Sequence, residues 1–580
     1  MNLFVIAYVL GQVCKFEAGF MLLPMVCALC YSEYSTALIF FLCALLCLTV
    51  GFFLTLKKPE HMRIRPKEAM AATALSWVVI SVLDCLPFRI SGEIPRFADA
   101  FFETVSGFTT TGSSILSDID AMSCGSRFWR SFTHWIGGMG VLVFVLAILP
   151  STSSTFMNLM VAESPGPSVS KLVPKVRQTA KYLYTIYLTM TIVQIVLLLL
   201  AGMLLFDSIT LTMGTAGTGG FSVRSSGFAD YTMLQQGIIA VFMVLFGINF
   251  SFYFLIVRKK FKAAVSMEEV LTYLAIILAV VLLIVTSVWW MFPNLFEAFH
   301  HVFFTVSSII TTTGYATVDF NQWTSFAKTL VVLIMFIGVC AGSTGGGIKV
   351  SRINVMFKGI KKELQMLLHP GLVRKVKMDG KPIAHETVRS INVFIAIYLV
   401  TFVVCLVLVT LDGKDLVTSF TAVAATLNNI GPGLGEVGPM GNFGAFSDFS
   451  KYVLSFAMLA GRLELIPLLL LLIPQMREGT IKLTRRIRTQ SSRAKNQGFQ
   501  REPSSPEKRL RLKCSGLADP LEKSGVLRAL CSIFPVWTFR IKGSTDSQRC
   551  ENTKKVRKAD DFRGRNTGAY AQKRRGFDWY

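Results

Sequence analysis

Apolar stretches long enough to cross a bilayer as helices recur about ten times along the chain of 580 residues. They lie at roughly residues 3–29, 36–56, 69–89, 131–150, 182–205, 234–257, 270–292, 327–342, 391–411 and 452–474. Hydrophobic residues make up 52% of the chain and charged residues only 16%, which excludes an ordinary water-soluble domain. The chain is therefore predicted to be an all-α integral membrane protein.

The first apolar stretch is predicted to be a retained helix and not a cleavable signal peptide. Lys15 and Glu17 interrupt it, and no small-residue cleavage site with a soluble mature domain follows. The pattern assigns no role to either charged residue.

Basic residues predict the orientation in the membrane. Lysine and arginine cluster at residues 57–67, 171–181, 258–262 and 358–377, whereas the alternate connections are richer in acids. Basic loops face the cytoplasm. Both termini are therefore predicted to lie inside the cell.

The net charge of +24 is concentrated near the C-terminus, where the residues from Met476 onward include 26 Lys or Arg against 10 Asp or Glu. Residues 477–580 are polar and lack apolar periodicity, so they are predicted to form a basic, disordered cytoplasmic tail. A solvated tail and one that contacts anionic lipid head groups both fit this composition. Nucleic acid binding is not implied.

The twelve cysteines are scattered, and many lie inside apolar helices. Buried cysteine usually acts as a small hydrophobe. Neither "CALC" at 27–30 nor the pair His300 and His301 belongs to a ligand cluster with metal-site spacing. No metal centre and no cofactor are predicted.

A polar, glycine-centred segment occurs four times. The segments are "TTTGSS" (109–114), "GTGGFS" (217–222), "TTTGYA" (311–316) and "NNIGPG" (428–433), and they align Gly112, Gly220, Gly314 and Gly431. Each follows a segment of about a dozen residues that is too short to span a membrane. Each unit is therefore predicted to be a spanning helix, a short helix, a polar loop and a second spanning helix.

Two crossings per unit place all four glycines on the same side of the membrane. The units are parallel and not inverted, and four of them suit a pseudo-fourfold ring around a central pore. The predicted divisions are two N-terminal helices at 1–60 and pore repeats at 61–170, 171–262, 263–380 (with a gate loop) and 381–476. Irregular backbone at membrane depth is tolerated where it lines a cavity, and carbonyl oxygens there can replace the hydration shell of a cation.

Longer motifs carry a resemblance to a known family. They are "RSFTHWIGGMGVLVFVLAILP", "TAGTGGFS", "GVCAGSTGGGIKVSRI", "TAVAATLNNIGPGLGEVGP" and "MLAGRLELIPLLLL". With them the chain resembles the membrane subunit of the Trk/Ktr/HKT superfamily of potassium uptake proteins, closest to the TrkH type, over about residues 1–476. The two extra N-terminal helices are also TrkH-like.

The resemblance implies a selectivity filter whose carbonyl groups bind potassium. By motif position its residues are Thr110, Thr111, Gly112, Thr218, Gly219, Gly220, Thr312, Thr313, Gly314, Asn429, Ile430 and Gly431. Family members with serine at the first glycine position tend to admit sodium, so four glycines favour potassium.

The resemblance also implies a gate below the filter. Its loop includes Gly345, Gly346, Gly347 and the basic residue Lys349, and Arg462 matches the pore-facing arginine of the family. An ionisable residue in an otherwise apolar helix is expensive and usually functional.

The predicted function is potassium uptake across the bacterial inner membrane by a protein that is not an enzyme. The family implies a homodimer and cytosolic nucleotide-binding subunits of the RCK type as partners. A potassium/sodium or proton symporter is the alternative within transport. An intramembrane hydrolase is a remote alternative from another class, because it requires a convergent nucleophile and base.

Overall fold

The computed structural model describes residues 3–58, 64–140, 176–369 and 375–472, with the backbone alone for 176–180. These residues belong to one compact unit, Met1–Thr489. The predicted basic tail at 477–580 and the second half of the span predicted at 131–150 lie outside the described residues.

The described part of the chain is helical apart from one short hairpin of β1 (Lys377–Met378) and β2 (Lys381–Pro382). Its first helices are α1 (Leu3–Phe20), α2 (Leu22–Cys30), α3 (Tyr34–Thr55), α4 (Pro66–Asp84), α5 (Leu86–Ile90), α6 (Phe97–Phe108), α7 (Cys124–Met139), α8 (Val176–Leu200), α9 (Leu205–Gly217) and α10 (Met233–Phe246). The others are α11 (Phe250–Val257), α12 (Phe261–Val265), α13 (Glu268–Val288), α14 (Leu295–Ile310), α15 (Ser325–Met335), α16 (Val350–Leu368), α17 (His385–Val409), α18 (Leu416–Leu427), α19 (Asp448–Arg462) and α20 (Ile466–Leu472).

Six helical segments of the described chain are long and apolar enough to cross a membrane. They are Leu3–Cys30, Tyr34–Thr55, Pro66–Ile90, Lys181–Leu200, Glu268–Met291 and His385–Asp412. Together with the parallel pore repeats described below, they confirm the predicted all-α membrane fold with two N-terminal helices.

The second helix of three repeats is interrupted. In repeat 2, α10 and α11 meet at a bend of 90°. In repeat 3 no helix covers the stretch between Met335 and Val350, and in repeat 4 Glu464 and Leu465, both at positive φ, separate α19 from α20. The sequence predicted a break in repeat 3 alone, so the breaks in repeats 2 and 4 are new findings.

The two N-terminal helices pack closely because glycines face each other. A Cβ added to Gly11 of α1 would lie 2.9 Å from the carbonyl oxygen of Gly51 in α3. Small residues let membrane helices approach to this distance. The other side of α1 packs on α4, the first helix of repeat 1.

Four short helices point their C-termini at the centre of the molecule. These pore helices are α6, α9, α14 and α18, with 12, 13, 16 and 12 residues. They are the short segments that the sequence predicted ahead of each glycine. Most of their side chains are buried, and α6 and α18 both pack on α19.

Candidate functional site

Every pore helix ends in the same backbone turn. The residues at Thr110, Thr218, Thr312 and Asn429 all adopt left-handed conformations, with φ between 55° and 57°. In each turn the N–H of the left-handed residue donates to the carbonyl oxygen three residues earlier. The N–H of the next residue donates to the carbonyl oxygen five residues before it. For repeat 1 these bonds are Thr110 N–H to Gly107 O at 3.1 Å and Thr111 N–H to Ser106 O at 2.9 Å. This Schellman turn provides hydrogen-bond donors for the last carbonyl groups of the helix. It directs the following residues away from the helix axis.

The four loops meet in a closed ring. A Cβ added to any of the four aligned glycines would lie within 3.0 Å of backbone in the next loop, closer than real Cβ atoms come. The atoms met are Gly220 N for Gly112, Thr313 O for Gly220, Ile430 O for Gly314 and Thr111 O for Gly431. The contacts run from repeat 1 through 2, 3 and 4 and back to 1. The predicted ring of four repeats is therefore closed by backbone atoms.

The glycines are not identical in conformation. Gly112, Gly314 and Gly431 have φ of 80°, 86° and 105°, a region that favours glycine. Gly220 is not among the residues with positive φ, so glycine is required at this position only because a side chain would not fit beside the next loop. The alignment of four glycines did not distinguish these two reasons.

A cavity of about 200 Å³ opens on one side of the ring. All four glycines line it, together with residues that follow them, such as Ser113, Ser222 and Tyr315. Outer loops of repeats 1 and 2 are joined beside it, because the Ser225 N–H donates to Asp120 at 3.0 Å. That hydrogen bond is the main reason why the pKa of Asp120 lies below its ordinary value.

Buried polar side chains hold the loops in place. The Asn429 amide donates to Thr111 Oγ1 and to the Met458 carbonyl, both at 2.9 Å. Ser113 donates to the Gly431 carbonyl at 3.0 Å. The bonds from Asn429 to Thr111 and from Ser113 to Gly431 join the loops of repeats 4 and 1 directly.

His134 on α7 supports the loop of repeat 2, a role that the sequence did not reveal. Its Nε2 accepts from the Phe221 N–H at 3.3 Å, so Nδ1 carries the proton and donates to the Gly107 carbonyl at 2.8 Å. Both ring nitrogens of this fully buried histidine are thus used. Its partners are far from it in sequence, and no local pattern could have indicated them.

Arg130 and Glu103 form a second buried support, also missed from the sequence. The guanidinium donates to the carboxylate at 2.7 and 2.9 Å and lies 4.1 Å from the centre of the Phe221 ring. Glu103 also accepts from the Ile115 N–H at 3.0 Å. A buried ion pair persists when such additional bonds satisfy it.

The glycine-rich segment 340–350, called the gate segment below, packs against the ends of pore helices. The Gly346 N–H donates to Thr312 Oγ1 at 2.8 Å, and a Cβ on Gly346 would lie 2.6 Å from the Asn428 carbonyl. These contacts involve residues that precede the aligned glycines, whereas the cavity is lined by those glycines and by residues that follow them. The gate segment therefore lies on the opposite side of the ring from the cavity.

Lys349 is buried and donates to the Gly345 carbonyl within the gate segment. Its φ is 75°, as is common for glycine but rare for lysine. Gly347 has a similar φ of 74° and packs on Gly338. The segment is thus a tight, irregular turn that is stabilised by the hydrogen bond from its own lysine.

Arg462 joins the gate segment to repeat 1. It donates to the Thr344 carbonyl at 2.7 Å and to the Gly138 and Gly137 carbonyls, the former at 2.9 Å. Glu464 is not its partner: this carboxylate pairs with Arg352 at 2.5 Å. The arginine that the sequence singled out therefore contacts the predicted gate.

Glu269 anchors both ends of the gate segment and was not predicted. One carboxylate oxygen accepts from the Ala341 N–H at 2.6 Å and from the Ser351 N–H at 3.1 Å. The bend of repeat 2 contributes too, because the Phe250 N–H donates to the Gly342 carbonyl at 3.1 Å. Neighbouring helices thus satisfy the backbone of the broken helix.

The described residues contain no group of three or more His, Cys, Asp or Glu that could hold a metal ion. His300 instead bonds Gln236, and His301 bonds Thr317, at 2.9 and 3.0 Å.

Short helices that end in a closed ring of backbone loops, within a helical membrane protein, define a transport protein of the pore-loop class. The chain belongs to the TrkH family of cation transport proteins, whose match covers residues 37–481. The resemblance seen in the sequence is confirmed.

Individual relatives match most of the chain. The Trk system potassium uptake protein TrkH of Vibrio parahaemolyticus (strain RIMD 2210633) is 35% identical over 470 residues, which are 78% of this chain and 95% of that protein. The protein of the same name from Escherichia coli (strain K12) is 33% identical, with 81% and 98% covered. The crystal structure of the potassium transporter TrkH from Vibrio parahaemolyticus matches with a TM-score of 0.73 and 32% identity, covering 82% of this chain and all of the other.

Proposed function

We propose that this chain takes up potassium ions across the cytoplasmic membrane through the ring of four loops. The observation that carries the proposal is the ring itself, in which backbone of each loop contacts backbone of the next. Such a ring can present carbonyl oxygens in place of the hydration shell of an ion. The relatives named above as potassium uptake proteins support the choice of ion.

In this proposal the filter is formed by the loop residues from Thr110, Thr218, Thr312 and Asn429 to the aligned glycines. A side chain at any of these glycines would press on the adjacent loop and displace its carbonyl groups. Sodium is smaller than potassium and holds water more strongly, so a displaced carbonyl ring should lose preference for potassium. The inward driving force is the membrane potential, about 2.3 kcal/mol per charge per 100 mV.

The gate segment, with Gly345, Gly346, Gly347 and Lys349, closes the pathway on the cytoplasmic side of the filter. Arg462 stabilises this closed arrangement through the Thr344 carbonyl. Its positive charge also disfavours cations near the filter.

The protein works in the bacterial inner membrane with both termini in the cytoplasm. It forms a homodimer and responds to cytosolic nucleotide-binding subunits of the RCK type. The membrane potential alone can drive uptake through the ring, so we prefer this function to the symporter. The transport family leaves the hydrolase without support.

The test is growth of a bacterium that lacks its own potassium uptake systems. The full chain is expected to restore growth at limiting potassium. A variant with Gly314→Asp, which places a carboxylate against the Ile430 carbonyl, is the matched negative control. No restored growth despite normal membrane insertion, with the RCK-type partner co-expressed, would contradict the proposal.

A further inference from the structure

Two acidic side chains face each other inside the membrane, away from the filter. Glu17 lies on α1, and Asp84 is the last residue of α4. Both are completely buried, and their carboxyl groups contact each other. Neither has a place in the ring or the gate described above.

The pair has no other hydrogen-bonding partner in the described chain. All four carboxyl oxygens are buried without an N–H or O–H donor from another residue. Lys15 is two residues from Glu17 and so projects from a different side of α1. Its ammonium lies 6.0 Å from the centre of the Phe52 ring.

The titratable groups around the pair are thiols. Cys14 comes from α1, Cys43 and Cys47 from α3, and Cys85 from the residue after Asp84. All four are free cysteines. No described lysine or arginine faces the two carboxyl groups, so no positive charge compensates them.

Electrostatics restricts the protonation of such a pair. Two adjacent carboxylates in a low-dielectric interior repel each other, and each lacks the hydration that would stabilise its charge. One proton between them turns the contact into an O–H···O⁻ hydrogen bond, the strong charge-assisted kind. Two carboxyl groups alone provide too few oxygens for a typical metal-ion shell.

We propose that Glu17 and Asp84 form a proton-binding site that joins the N-terminal helices to the first pore repeat. The bound proton holds α1 against α4. Removing it leaves two facing carboxylates and weakens this contact.

The site is placed to affect the pore. Helix α4 packs on the pore helix α6 and on α20. Its Trp77 ring lies 5.9 Å from the guanidinium of Arg462. A change at the α1–α4 contact can therefore reach both the filter support and the gate arginine.

Infrared spectroscopy of the full chain in lipid tests the proton directly. The difference spectrum of the wild type minus the double variant Glu17→Gln/Asp84→Asn should contain the C=O stretching band of a protonated carboxyl at neutral pH. That band should disappear only at alkaline pH. Its absence at neutral pH would overturn the proposal, as would a band that sodium or potassium removes, which indicates a cation site.

Thermal stability provides a second test. Because the folded protein retains the proton, wild-type stability should fall as the pH rises. In Glu17→Gln an amide N–H replaces the shared proton and cannot be lost, so the fall that begins at about pH 4, where an exposed carboxyl ionises, should be absent. Any further fall at alkaline pH from the buried thiols should remain. The control Glu363→Gln alters an exposed carboxyl and should keep the wild-type profile. Equal losses of stability in wild type and Glu17→Gln between about pH 4 and neutral pH would overturn the proposal.

Discussion

At the scale of residues, the four loops of the ring depend on a conformation that threonine rarely adopts. A β-branched residue in the left-handed region is strained, by about 1–3 kcal/mol. Thr110, Thr218 and Thr312 all do so at equivalent positions. Such strain persists where the surroundings enforce it, and here the Schellman turn and the adjacent loop do so. The hydroxyl-rich pattern of the sequence thus marks a repeated backbone turn.

Arg462 carries the first prediction. Replacing it with alanine removes charge-assisted hydrogen bonds to Thr344 and Gly138, each worth about 1.5–3 kcal/mol. If these bonds stabilise the closed gate, Arg462→Ala should shift the equilibrium toward the open state by roughly tenfold or more. Potassium flux per inserted molecule is the measurement.

The matched control is Arg258→Ala, which changes an arginine that packs over Phe254 and lies outside the gate segment. Its flux should equal that of the wild type. Equal flux in Arg462→Ala as well, at matched expression, would remove the assignment of this arginine to the gate.

Sequence reasoning located Arg462 because a charge stands out in an apolar helix. Glu269 gave no such signal, since it follows Glu268 at the start of α13, where acidic residues are ordinary. His134 and Glu103 were missed because the groups that they hydrogen-bond are distant along the chain and are brought together only by the fold. A functional role can be predicted from sequence for a charged residue isolated in an apolar stretch. It cannot be predicted for a buried residue whose hydrogen-bonding partners are distant along the chain.

At the scale of elements, the gate segment is a break in a helix that its neighbours complete. Glycines at 345–347 predicted this break, because they disfavour a helix. The break in repeat 2 had a weaker signal, with Gly247 followed by Asn249, which caps α11 by accepting from the Ser251 N–H. In repeat 4 the break falls at Glu464 and Leu465, inside the stretch 452–474 that the sequence predicted to be one continuous span.

Glu269 is expected to stabilise the gate segment, because it accepts hydrogen bonds from both of its ends. Glu269→Ala leaves the amides of Ala341 and Ser351 buried without their acceptor, at a cost of about 1–3 kcal/mol each. The variant should have a lower thermal midpoint and a higher basal potassium flux. Both are measured on purified protein in proteoliposomes.

The adjacent Glu268→Ala is the control, because Glu268 pairs with Lys358 and is 39% exposed. A surface pair of this kind is worth at most about 1 kcal/mol. If the two alanine variants have the same stability and flux, the gate segment does not depend on Glu269.

At the scale of the whole molecule, four unequal repeats close into one ring. The repeated glycine and the number of crossings per unit predicted this architecture, because both depend on periodicity along the chain. The order of contacts around the ring follows from the backbone, and the conformation of Gly220 departs from the other three. A sequence repeat therefore predicts equivalent positions but not equivalent geometry.

The C-terminal residues from 482 onward lie outside the family match. The family match ends at residue 481, and a match to 81% of this chain covers 98% of the relative from Escherichia coli. Truncation after Gln490 should leave potassium uptake per inserted molecule unchanged. Truncation after Phe446, which removes α19 and Arg462, should abolish it. Loss of uptake after truncation at Gln490, with normal membrane insertion, would assign the tail a function in transport.

We infer that the four glycines shape an ion-selective ring. The most direct test is the ratio of potassium to sodium uptake per inserted molecule in Gly112→Ser and in Gly314→Ser. Each added side chain would press on backbone of the next loop, so both variants should conduct with a lower preference for potassium. Gly359→Ser, where nothing lies within 4 Å of the added Cβ, should keep the wild-type ratio. An unaltered ratio in both Gly112→Ser and Gly314→Ser, whatever the total flux, would show that these glycines do not determine ion selectivity.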